Sequence, residues 1–87
     1  MANVSVDTGA GVALDLSDYP DAGERGQVLI MQNLGGGDIY FDMVSTVDAD
    51  SGLKLAANGS YELTLVGQTV YVMASADGTD LRYVVVG

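Results

Sequence analysis

Apolar and polar residues alternate with a period of two along several short stretches of this chain. Val12, Leu14 and Leu16 are interleaved with Ala13, Asp15 and Ser17, and Tyr61, Leu63 and Leu65 with Ser60, Glu62 and Thr64. Successive side chains of an extended strand point to opposite faces, so this period marks half-buried strands, and no stretch holds a helical period. Between the strand candidates stand Gly35-Gly36-Gly37-Asp38, Asn58-Gly59 and Asp77-Gly78. Asn-Gly and Asp-Gly readily adopt the positive φ of tight turns, so neighbouring runs are expected to pair as antiparallel hairpins. Strands are expected at about 12–17, 27–34, 38–43, 60–66, 69–75 and 80–86, with a short one at about 3–7. Connections this short leave no room for crossover helices and exclude a parallel α/β sheet. The expected fold class is all-β: a small antiparallel β-sandwich or barrel of about six to seven short strands, one domain over residues 1–87. Residues 1–11 are an arm or a first strand; residues 18–26 and 44–57 read as irregular segments.

Two runs break the alternation. Val28-Leu29-Ile30-Met31 and Tyr83-Val84-Val85-Val86 are apolar on both faces. They are either central strands covered by a loop or strands whose outer face meets another molecule. Tyr40 and Phe41 must point to opposite faces, which puts at least one of them outside the main core.

Composition narrows the function. The chain has no cysteine and no histidine, which removes disulfides, thiolate zinc sites and every nucleophilic arrangement that relies on His or Cys. At 87 residues it is near the lower size limit for independent folding, which favours association as added stabilisation. Twelve acidic residues against Arg25, Lys54 and Arg82 give a net charge of −9, so nucleic acid and anionic membrane surfaces are not expected partners. Residues 1–11 carry neither a basic stretch nor a long apolar run, so the expectation is a chain with no leader or spanning segment, made in a cytoplasm.

The candidate chemical motifs are weak. Asp48-Ala49-Asp50-Ser51-Gly52 resembles the start of a calcium loop, but its glycine is one position early and Gly59 stands where the bidentate Glu belongs, so a solvated turn is expected. Asp38 and Asp42 share a strand face and read as like-charge protection of a strand edge, since a domain this small forms little pocket for acid–base work. Gly35-Gly36-Gly37 lacks the lysine and helix of a phosphate cradle and reads as a hairpin connection. Asn58-Gly59-Ser60 fits a glycosylation acceptor only formally. No catalytic, cofactor-binding or metal-ligating residue is assigned; the expectation is a protein that is not an enzyme and needs no cofactor.

The runs Val28-Leu29-Ile30-Met31-Gln32-Asn33-Leu34, Asp38-Ile39-Tyr40-Phe41, Ser51-Gly52-Leu53-Lys54-Leu55-Ala56-Ala57-Asn58-Gly59-Ser60-Tyr61-Glu62-Leu63 and Val70-Tyr71-Val72-Met73-Ala74-Ser75-Ala76 carry a resemblance. Together with the terminal strand this rhythm of strands and turns, over residues 26–87, resembles small β-structured virion proteins of tailed bacteriophages. The resemblance implies a structural protein of the particle, foremost a capsid decoration protein on the outer shell. Its partners would be the major capsid protein or another virion protein and copies of itself, with a trimer favoured. The alternative within the resemblance is a head-fibre or tail module that binds host carbohydrate. Strand position and apolar or amphipathic character nominate Val28, Ile30, Tyr40, Phe41, Tyr71, Met73, Tyr83 and Val85 as interface residues, with the loop at 19–24 as a further possibility.

Overall fold

The structure is a computed structural model that describes residues 2–16 and 26–86. Eight strands occur among these residues: β1 (Ala2–Val6), β2 (Val12–Ala13), β3 (Val28–Gly35), β4 (Ile39–Asp42), β5 (Leu53–Leu55), β6 (Ser60–Thr64), β7 (Tyr71–Ala74) and β8 (Thr79–Val86). They form two four-stranded antiparallel sheets, β1-β8-β3-β6 (sheet A) and β2-β7-β4-β5 (sheet B). The sandwich expected from the period of two is therefore the fold.

The connectivity is that of a jelly roll. Strand pairs β1–β8, β2–β7, β3–β6 and β4–β5 make one long antiparallel ribbon, and rolling that ribbon sets β8 beside β3 and β7 beside β4. Leu29 and Met31 of β3 and Leu81 of β8 meet Ile39 and Phe41 of β4 and Val72 and Ala74 of β7 in one buried core. All seven sit at alternate strand positions, as a pleat packed on one face demands.

Three expectations need correction. The glycine-rich turns take the anticipated backbone, with positive φ at Gly35, Gly36, Asn58 and Gly78. They are nevertheless not hairpins, because each joins strands of opposite sheets. At Gly37 a Cβ would lie 2.9 Å from the Ala76 nitrogen, so only glycine lets this connection approach the β7–β8 connection so closely. Second, β5 lies inside a segment read as irregular; three residues, two of them exposed, are too few to show a period. Third, β4 is a central strand, so Asp38 and Asp42 do not guard an edge; Asp38 pairs instead with Lys54 at 3.5 Å.

The remaining expectations stand closer to the structure. Residues 2–6 form a first strand and not an arm. The strand expected at 12–17 shortens to two residues, although Leu14 still donates its N–H to the Val70 carbonyl and is buried. Most of the loop expected at 18–26, with the interface candidates at 19–24, lies outside the described residues. The turn at Asp48 is self-contained: its Oδ1 accepts from the N–H groups of Asp50 and Ser51 and from the Ser51 hydroxyl. Those bonds hold its carboxyl below the ordinary range, the Ser51 hydroxyl contributing most.

Candidate functional site: two outer faces and two open sides

The eight nominated interface residues do not form one surface. Phe41 is 0% exposed and Tyr83 5%, so both belong to the core and not to an outer face. Tyr83 also donates its hydroxyl to the Asp15 carbonyl at 2.7 Å. Val85 shares their inward parity on β8 and packs against the core. Sequence could not separate these from outward neighbours because Tyr83-Val84-Val85-Val86 is apolar at both parities.

The other five divide between opposite faces. On sheet A, Val28 and Ile30 alternate with buried Leu29 and Met31 and so face outward. Their cross-strand neighbours are Val86 and Val84, which makes an outer apolar quartet at one end of the two central strands. Glu62 and Thr64 of β6 flank it. Gln32, opposite Arg82, begins the polar half of the same face. On sheet B, Tyr40 lies opposite Met73, and Asp42 opposite Tyr71, on the outer face. Lys54 adjoins Tyr40 from the other side. Tyr40, Tyr71 and Met73 are all half-buried, and neither phenol takes part in a hydrogen bond or a ring contact.

The sandwich also has two sides where, among the described residues, the edge strands of the two sheets have no further neighbour. At the β1–β2 side a cleft of about 830 Å³ is lined by Val4, Val6, Leu14, Asp15, Val72 and Tyr83, among others. So sizeable a pocket was not expected from a chain this short. Side chains tie the β1–β2 connection to the β7–β8 turn: Thr8 donates its N–H and hydroxyl to Asp77 Oδ1, both at 2.9 Å, and Gly78 donates its N–H to Asp7 Oδ1 at 3.0 Å. The Thr8 bonds hold the Asp77 carboxyl below the ordinary range, its backbone N–H first. Asp7 and Asp77 thus serve as turn staples.

At the β5–β6 side, Leu53 is 55% and Tyr61 40% exposed although both sit at inward-facing positions, opposite Phe41 and Met31 respectively. The Tyr61 ring packs on Phe41 with centroids 5.1 Å apart. Behind this side lies Asn33, fully buried, whose Nδ2 donates to the carbonyls of Gly37 and Leu55 while its Oδ1 accepts from Gly35. Asn33 is the residue that sequence reasoning passed over. The signal was present, since it shares the parity of Leu29 and Met31 and so had to point inward.

Known proteins offer no guide to these surfaces. Neither protein-family models, nor curated proteins, nor solved structures contain a match to this chain. Among the described residues no three His, Cys, Asp or Glu come close enough to hold a metal ion. No helix of the described residues is long and apolar enough to cross a membrane.

Proposed function

We propose that this chain is a non-enzymatic structural protein of a tailed-phage virion, a decoration protein that binds the outer surface of the capsid and copies of itself. The carrying observation is that both sheets of a −9 chain present outer clusters of apolar or aromatic residues: Val28, Ile30, Val84 and Val86 on sheet A, and Tyr40, Tyr71 and Met73, with Asp42 and Lys54 beside them, on sheet B. A small sandwich that needed only to stay soluble would place polar residues there. Two patches on opposite faces suit a block wedged between neighbours in an array. Jelly rolls recur in capsid and lectin domains, which supports the reading by analogy only. Binding the assembled shell more tightly than its loosened form would stabilise the shell by that difference, and repeated sites would add avidity.

The test is co-sedimentation of the purified chain with capsids that lack it, from the phage encoding it. Saturable binding at high copy number is expected, lost on Tyr71→Asp or Val84→Asp according to which face docks. Absence of binding by the folded wild-type chain would sink the reading.

The alternative, a fibre or tail module that binds carbohydrate, draws on one observation: the two unengaged phenols of Tyr40 and Tyr71 stand beside Asp42 on one face. Aromatic rings offer a stacking surface to sugar C–H groups, and carboxylates accept from sugar hydroxyls. Chemical-shift changes confined to sheet B on titration with oligosaccharides would favour this reading over the capsid one.

A further inference from the structure

Strand β6 ends sheet A, with β3 as its only neighbour among the described residues. Asn33 donates its N–H to the Gly59 carbonyl and Leu65 to the Gln27 carbonyl, which fixes the parity of the β3–β6 ladder. Odd-numbered residues of β6 turn their backbone groups to β3; Ser60, Glu62 and Thr64 turn theirs to the open edge. Gln68 caps the Thr64 carbonyl, its Nε2 donating at 3.1 Å, and Ser60 and Glu62 are left as a short, uncapped template. The edge has no proline, lysine or bulge of the kind that usually blunts one. Beneath it, Tyr61 and Leu53 are inward-pointing yet largely exposed.

We infer that β6 is a homodimer seam: two copies pair β6 antiparallel about a twofold axis at Tyr61, joining their A sheets into one continuous sheet. The register follows from the residues. With Tyr61 opposite Tyr61 of the second copy, Ser60 falls opposite Glu62 in both halves, and the edge groups of those residues satisfy one another. No like charges then stand directly opposite each other, which matters for two chains of −9 each. The neighbouring register, Glu62 against Glu62, sets two carboxylates face to face and is disfavoured. The chosen register also makes Tyr61–Tyr61 a non-hydrogen-bonded pair, the closer kind, with Cβ atoms about 4.5–5.5 Å apart. That pair extends the existing Phe41–Tyr61 contact across the seam and shields Leu53. A second copy is therefore the occupant the edge itself specifies. The inference does not depend on the virion reading.

Because the chain has no cysteine, Tyr61→Cys supplies one thiol, and mild oxidation of the full chain tests the register directly. Two cysteines facing each other as a non-hydrogen-bonded pair meet disulfide geometry, so a covalent dimer should form at least tenfold faster than for Glu62→Cys. Light scattering on the wild type should show mass rising from 9.0 kDa toward twice that with concentration, more readily at high salt, which screens the mutual repulsion. Glu62→Pro, whose lost N–H points away from β3, should weaken association at least tenfold while the far-ultraviolet spectrum stays that of the wild type. Ser60→Pro serves the same purpose if Glu62→Pro does not fold. A wild-type monomer at all concentrations, a trimer, or equal cross-linking at positions 61 and 62 would each overturn the seam. Capsid binding by a monomeric chain would overturn the seam and leave the virion reading standing.

Discussion

The two open sides of the sandwich are closed by different physics. At the β1–β2 side the bonds that tie the two connections together are exposed: Thr8 to Asp77, Gly78 to Asp7. At the β5–β6 side one buried side chain, Asn33, holds three backbone groups, and a single aromatic pair finishes the wall. Each side is held by three such hydrogen bonds, so a count does not separate them. Burial does separate them, because an exposed group that loses its partner is re-solvated by water, whereas a buried one keeps its full desolvation cost. The side held by the buried Asn33 should carry more of the stability.

The sharpest way to break this comparison is Asn33→Ala. It orphans the Gly37 and Leu55 carbonyls and the Gly35 N–H together, and urea unfolding at neutral pH should show a loss of about 3 kcal/mol or more. A loss no larger than that of an exposed staple would refute the ranking. Tyr83→Phe is next: it keeps the buried ring and removes only the bond to the Asp15 carbonyl, so about 1 kcal/mol is expected by the same measurement.

The smallest effect belongs to Asp77 and shows itself through pH. Its carboxyl is held below the ordinary range in the folded chain by Thr8. A depressed folded pKa contributes stability that is present above the unfolded value and lost as pH falls through the folded one, hence below about pH 4. Asp77→Asn keeps an acceptor for Thr8 but not the charge. Its thermal stability should fall slightly below wild type at neutral pH, with the gap closing in acid; parallel pH profiles would show that the charge does not matter there.

Much of the fold was legible where local chemistry decides. Positive φ at Asn58 and Gly78 and the separation of Tyr40 from Phe41 follow from rules that reach one or two residues. The interface candidates were legible only as a set of apolar strand positions. Phe41, Tyr83 and Val85 proved to serve the core because a doubly apolar run has no internal mark of which parity faces in.

What the sequence by itself determined is therefore the kind of element at each place, its turn backbone and, where polar and apolar residues alternate, its two faces. Which strand lies beside which was decided by the tertiary structure alone. Ala2 pairs with Tyr83 and Val12 with Val72, partners separated by most of the chain, while the glycine turns that look like hairpins carry it from one sheet to the other. A turn motif encodes a change of direction over four residues. The choice of neighbour depends on how much apolar surface each arrangement of all eight strands buries at once, and no local window contains that sum.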